Sequence, residues 1–365
     1  MTDALLQPFD LKGLRLKNRI VMAPMTRSRS PGGVPGADVA AYYARRAGAG
    51  VALIITEGTT VDRPGASNDA NVPNFHTPES IAGWSKVVEA VHAAGGLIAP
   101  QLWHVGMVRK PGTGPYPDAE SDGPSGLSGS GKAVGRPMSE GDVADTIEAF
   151  AKAAEAAQRI GFDAVEFHGA HGYLIDQFFW DRSNQRTDGY GGDLPARARF
   201  AAEIVKAARR RVGRDYPLIL RFSQWKQQDY TARLAQAPQD LEAFLSVLVE
   251  AGVDCFHCSQ RRFWEPEFEG SELNLAGWTK KLTGLPAITV GSIGLKGADF
   301  ISAFRGEGSE VGDLTELERR LEAGEFDLAA VGRALISDPE WAAKVAARRF
   351  QDLRPFSPAA LGEYV

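Results

Sequence analysis

Cysteine is scarce, with two in 365 residues. That count rules out a disulfide framework and fits a reducing, cytoplasmic setting. No block of basic residues occurs and the formal net charge is −5, so the chain lacks the electrostatic footprint of a nucleic-acid groove. Apolar runs are short. Val51–Ile55 is among the longest, far below the roughly 20 residues that a membrane-spanning helix needs. Met1–Leu11 has no positive stretch with an apolar core behind it, so no secretory signal is read there. The dinucleotide fingerprint is missing too. Gly48, Gly112, Gly129, Gly189 and Gly306 each open G-x-G, and none completes G-x-G-x-x-G before a helix.

What is present is a full core and a regular alternation. Hydrophobic residues make up 44% of the chain, enough to exclude disorder. Eight strand-like runs are read at Arg19–Met25, Val51–Gly58, Leu97–His104, Ala164–His168, Leu218–Ser223, Cys255–Ser259, Ala287–Ser292 and Leu328–Arg333. Helical segments lie between and after them, at Ala37–Ala47, Pro78–Ala94, Ser139–Ile160, Leu194–Val212, Asp240–Ala251, Trp278–Leu282, Leu314–Leu321 and Asp338–Arg348. Thr77 is placed to cap the second helix, with Pro78 at its first position and Glu79 in its first turn. Pro339 is read as a helix start. Strands alternating with helices imply a parallel sheet, and eight units imply a closed (β/α)8 TIM barrel, one domain over residues 1–365. An open doubly wound sheet is the alternative. Residues 106–138, rich in Gly, Pro and Ser, read as a long loop after the third strand that covers a site or meets a partner.

In such barrels chemistry gathers at the C-terminal strand ends. Those ends offer Pro24, Met25, Thr26, Gly58, Gln101, Trp103, Arg221, Gly291, Ser292, Gly332 and Arg333. This is a set of amide, guanidinium, indole and glycine, without the carboxylate cluster of a hard-metal site. Gly291, Gly332 and Arg333 suit a phosphate, because glycines let backbone N–H groups approach and a guanidinium grips the oxygens. The fourth strand end is the richest. Ala164, Glu166 and His168 share one face of an extended strand, Gly169 permits a bend, and a tight turn brings His168 and His171 together. Tyr173 then joins them in one small pocket, where an imidazole pair and a phenol can hold and protonate a substrate.

Taken in order, APMTR, EGT, QLWHVG, HGAHGYLIDQF with DGYGG behind it, RFS, VGS and VGRALISDP resemble the Old Yellow Enzyme family of flavin-dependent ene-reductases. The matching pieces span nearly the whole chain. The resemblance implies non-covalent FMN at the barrel mouth, NAD(P)H as transient hydride donor, and ping-pong reduction of activated C=C bonds in α,β-unsaturated carbonyl or nitro compounds. It implies that Pro24, Met25 and Thr26 line the flavin, with Thr26 near its reactive edge, and that Gly58 touches it through backbone. It further implies Gln101 at the pyrimidine edge, Arg221 at the N1/O2 side, and Gly291, Ser292, Gly332 and Arg333 on the phosphate. His168 and His171 would bind the substrate carbonyl, Tyr173 would supply the proton, and a homo-oligomer is possible. The chain departs from the family's GGSLENR at Gly191–Arg197, carries a bulky loop at Arg261–Pro266, and has an unmatched segment at Arg305–Asp313.

Other readings stand beside this one. His168 and His171 can be zinc ligands, with His104 and Glu166 as the available extras, which would make the chain a metal-dependent lyase or hydrolase. A flavin-binding protein without turnover is a third possibility. Arg221 can pair with Glu166. Cys255 and Cys258 form a C-x-x-C on a strand rather than at a helix start, which favours core packing over redox. With no further cysteine cluster, the iron–sulfur variants of the family are excluded. Trp103 is core or pocket wall, Trp264 is lid or interface, and Tyr42 and Tyr43 pack a helix.

Overall fold

The computed structural model describes residues 3–297, 302, 303 and 305–364. Eight strands form a closed parallel barrel: β1 (Ile20–Met22), β2 (Leu53–Thr60), β3 (Leu97–Trp103), β4 (Val165–His171), β5 (Leu218–Lys226), β6 (Cys255–Ser259), β7 (Ala287–Val290) and β8 (Leu328–Val331). Each pairs with the next, and β8 closes on β1 through Ala329↔Ile20 and Val331↔Met22. The eight expected strands are these eight, and the barrel takes the place of the open sheet.

Alternation along the strands sorts side chains into two layers. Met22, Ile54, Leu102, Phe167, Phe222 and Cys258 face outward into the helix layer. Val21, Leu53, Ile55, Ala99, Ile219, Cys255, Ile288 and Leu328 fill the barrel interior. The N-terminal hairpin, Phe9–Leu11 with Leu14–Leu16, adds Leu11 and Leu16 to that inner cluster and seals its lower end. Each buried Leu or Ile contributes about 1.5–3 kcal/mol. The two cysteines thus sit in separate layers, as their i, i+3 spacing on a strand requires, and both are buried free thiols. Burial pushes the Cys258 thiol up to about 12, the state of a packing residue rather than a redox pair.

Thr77 caps the helix Pro78–Ala93, its side chain accepting from the Ser80 N–H. The expected helix at 194–212 is two pieces, Leu194–Arg197 and Arg199–Val212, joined at Ala198. The short piece at 278–282 is the end of a longer helix, Leu275–Thr283, which starts where Asn274 accepts from the Gly277 N–H at 2.8 Å. The last expected helix, Asp338–Arg348, is shorter, Trp341–Ala346, and a separate helix not read from the sequence, Arg333–Ser337, precedes it. Between them the Asp338 carboxylate binds Lys344 Nζ at 2.8 Å and the Arg354 N–H at 3.1 Å. That bracket holds Asp338 out of a helix, and Pro339 lies in the link rather than at a helix start.

The long loop 106–138 is folded on itself. The Arg109 guanidinium donates to the carbonyl oxygens of Ser67 (3.2 Å), Thr113 (2.8 Å) and Ala119 (2.7 Å). The unmatched segment 305–313 contains a strand, Ser309–Val311, antiparallel to Leu295–Gly297. Behind it the C-terminal stretch returns to the barrel mouth. Ser309 and Phe356 exchange backbone hydrogen bonds, and Arg27 Nη2 donates to the carbonyls of Leu361 (3.0 Å) and Glu363 (2.6 Å).

Candidate active site

A cavity of about 320 Å³ opens at the C-terminal strand ends. Its floor is the upper continuation of the inner layer, where the apolar pattern turns polar. Gln101 and Glu166 are register partners, and His168, Arg221 and His257 lie on one rung. Gln101 Nε2 donates to Glu166 Oε1 at 2.7 Å, and His257 Nδ1 meets Glu166 Oε2 at 2.6 Å. Both carboxylate oxygens are thereby occupied. The ion pair between Glu166 and Arg221 considered from the sequence is not formed, and the buried Arg221 Nε has no hydrogen-bond partner among the described residues. Burial pulls the Arg221 pKa down, against the pull of Glu166, yet a guanidinium stays charged at neutral pH. An unpartnered, buried cationic donor at a cavity floor calls for an anionic or electron-rich ligand edge.

The walls follow from the fourth strand. Pairing with β5 is regular through Gly169 and shifts register between Gly169 and His171. The strand continues to His171, and Gly169 is needed because a Cβ there would stand 2.9 Å from the Arg221 carbonyl oxygen. The bend comes two residues later, where His171 (φ 67°) and Gly172 (φ 82°) are left-handed. For histidine that conformation costs on the order of 1–3 kcal/mol. Its surroundings offset the cost: the His171 N–H donates to Ser223 Oγ at 3.0 Å, and its Nε2 meets Ser259 Oγ at 2.7 Å. The turn delivers the expected convergence. Ring centroids of His168 and His171 are 5.2 Å apart, those of His168 and Tyr173 5.0 Å, and those of Trp103 and Tyr173 4.9 Å. Burial first, then the Arg221 charge, holds both imidazoles well below their usual pKa, so they are neutral. The Ala170 N–H points at His168 Nδ1 (3.4 Å), which favours a proton on Nε2.

Pro24, Met25, Thr26, Gln101, Trp103, Arg221, Gly291, Ser292, Gly332 and Arg333 all line the same cavity. Trp103 is therefore pocket wall. Gly58 is not among the lining residues; a Cβ there would lie 2.6 Å from the Trp103 ring, so this glycine makes room for the indole. At the far end, Arg333 reaches Ser292 Oγ and Ser309 Oγ, each at 3.4 Å. Gly291 (φ 149°) is required by the loop beside it: a Cβ would stand 2.7 Å from the Gln260 carbonyl oxygen. Just beyond Thr26 the Glu57 carboxylate accepts from the N–H groups of Arg27 (2.9 Å) and Ser28 (3.1 Å), and burial raises this carboxyl to about 7. No residue of 106–138 lines the cavity, nor does Trp264. His104 turns away onto Asp122 at 2.9 Å. Among the described residues no group of three or more His, Cys, Asp or Glu is placed to hold a metal.

Sequence reasoning missed Trp225, Gln227, Ser259, Phe356 and Leu361, all of which line the cavity. Ser259 ends β6 and was readable as a strand end. Trp225 and Gln227 follow the expected end of β5, which runs three residues further than its apolar pattern.

The model of the NADH:flavin oxidoreductase / NADH oxidase family matches residues 4–352. The chain belongs to this family. It is the Old Yellow Enzyme family, whose members are FMN-dependent oxidoreductase enzymes. Similarity to an NADH oxidase of Thermoanaerobacter brockii is 35% identity over 352 residues, 93% of this chain and 50% of that protein. Similarity to 12-oxophytodienoate reductase 7 of Oryza sativa subsp. japonica is 41% identity over 224 residues, 58% of this chain and 56% of that protein. The chain thus spans about half the length of these two relatives. Among solved structures, morphinone reductase in complex with tetrahydroNAD superposes with a TM-score of 0.81 at 29% identity, covering 98% of this chain and 93% of that one. The cavity fits the family's flavin. It offers an Arg221 Nε without a hydrogen-bond partner among the described residues, an amide oxygen on Gln101 left open by its bond to Glu166, and an arginine with two serine hydroxyls at the far end.

Proposed function

We propose that this chain is an FMN-dependent ene-reductase. It reduces the activated C=C bond of α,β-unsaturated carbonyl or nitro compounds with hydride from NAD(P)H, by a ping-pong sequence in a single cavity. The observation that carries the reading is the convergence of two neutral imidazoles and a phenol over the same cavity floor as Gln101 and Arg221. FMN, when bound, supplies the hydride chemistry between nicotinamide and the substrate β-carbon. Arg333, Ser292, Gly291 and Gly332 hold its phosphate, and Pro24, Met25 and Thr26 line its ring. Gln101 accepts from a ring N–H, and Arg221 places a fixed positive charge where reduction adds electrons. His168, through Nε2–H, and His171 hold the substrate's carbonyl oxygen as negative charge builds there. Tyr173 delivers the proton to the α-carbon, and Trp103 bounds the substrate's ring plane. One cavity used in turn by nicotinamide and enone needs no separate dinucleotide domain.

Anaerobic stopped-flow measurement tests this. Purified protein should be yellow and release FMN on denaturation, NAD(P)H should bleach it, and an enone should restore the colour. Tyr173→Phe should slow recolouring roughly 10²–10⁴-fold while bleaching continues at the wild-type rate. Recolouring of Tyr173→Phe at the wild-type rate would remove Tyr173 as the proton donor.

A further inference from the structure

The last residue of β5 and the two that follow it close over the turn that carries the imidazoles and the phenol. Lys226 Nζ binds Asp176 Oδ1 at 2.7 Å, and the other oxygen of Asp176 accepts from the Gly172 N–H at 2.6 Å. The Gln227 N–H donates to the His171 carbonyl at 3.3 Å. The Gln228 side chain covers Gly172, where a Cβ would meet its Oε1 at 2.1 Å. Lys226, Gln227 and Gln228 therefore grip His171, Gly172 and Tyr173 from consecutive positions.

Gln227 does one thing more. Its Nε2 donates to Tyr173 Oη at 3.1 Å, the one hydrogen bond of that phenol among the described residues. A phenol has one hydrogen to give and lone pairs to accept with. Because Gln227 uses an accepting position, the hydrogen of Tyr173 is not drawn into the protein. It is left for the cavity that both side chains line.

We propose that Gln227 is a positioning residue for proton delivery: it aims the Tyr173 O–H at the substrate and stabilises the phenol oxygen as the proton leaves. The inference rests on the reading of Tyr173 as donor. In the step, the phenol O–H bond breaks and a C–H bond forms at the α-carbon with the electron pair of the enolate. The phenolate then regains a proton from water. A donor to the phenol oxygen favours its charged form. Burial raises the Tyr173 pKa, and the Gln227 bond, followed by the Arg221 charge, works against that rise.

The test uses FMN-loaded Gln227→Met, which keeps length but removes the donor, and Gln227→Glu, whose carboxylate accepts the phenol hydrogen instead. Enone-driven recolouring should slow about tenfold in Gln227→Met, the effect of one pKa unit in the donor, and more in Gln227→Glu. Bleaching by NAD(P)H should be unchanged, and the alkaline limb of the enone step should move to higher pH in Gln227→Met. On FMN-free protein, NMR of ring-labelled Tyr173 should show its titration moving upward in the same variant. Equal slowing of both half-reactions would mean general damage and overturn the proposal, as would an unmoved alkaline limb. If Tyr173→Phe is slow and Gln227→Met is wild type, this inference fails alone. If Tyr173→Phe is itself wild type, the donor reading fails and takes the inference with it.

Discussion

Ile219 and Arg221 stand two residues apart on β5 and point to the same side, into the barrel. Below, Ile219 packs with Leu53, Ile55, Ile288 and Leu328 in a closed apolar layer. Above, Arg221 shares its rung with His168 and His257 and leaves Nε unpaired. One alternation rule places both side chains. The lower one is satisfied by its neighbours, and the upper one is not. Stability and chemistry are thus divided along the barrel axis rather than between domains, and an unmet donor marks where the division falls.

Breaking the lower half should have the largest effect. Ile219→Ala leaves a cavity in a sealed layer and should cost about 2–5 kcal/mol of folding stability, read by denaturant unfolding, with FMN content per folded molecule unchanged. Flavin lost ahead of unfolding would show that the two halves are not separable. Arg221→Met is the reciprocal change. It removes an unpaired buried donor, so stability should hold. The flavin reduction potential should fall and bleaching by NAD(P)H slow, by about 1.5–3 kcal/mol, the worth of a hydrogen bond to a charged group. An unchanged potential would make Arg221 a packing residue like its neighbour below.

The smallest effect expected is an absence of titration. Burial and Arg221 depress the pKa of His168 and His171 well below 6.5. A base with a depressed pKa gives up its neutral form only when the pH falls through that lower value. Binding of an enone to the oxidised, FMN-loaded protein should therefore show no imidazole transition between about pH 6 and 8, around the unperturbed value of about 6.5. A break near 6.5 would place the imidazoles in solvent-like surroundings and weaken the contrast with the apolar layer.

The sequence made the barrel legible because each of its strands is a compact apolar run with a recognisable end. Pro24 to Arg333 could be gathered into one site for that reason, and strand ends alone found thirteen of the lining positions now seen at the cavity. The failures have physical causes. Gly58, implied by the resemblance as a backbone contact of the flavin, is not among the residues that line the cavity, and a Cβ there would meet the Trp103 ring. Gly169 looked like the bend because glycine permits one; the register shift does follow it, but the left-handed backbone falls on His171 and Gly172. Gln227 was hidden by a strand that outlasts its apolar pattern. Phe356 and Leu361 come from a stretch with no periodic signal, set in place only by Ser309 and Arg27.

Completion of the cavity waits on residues far along the chain. β1 has β8 as a neighbour, and Arg27, just after β1, is satisfied by carbonyls more than 330 residues later. A ribosome emits the first partner long before the second. During most of synthesis the nascent chain therefore has an open sheet and a site without its Phe356 and Leu361 wall. The complete cavity, with Phe356 and Leu361 in its wall, is therefore available only late in synthesis.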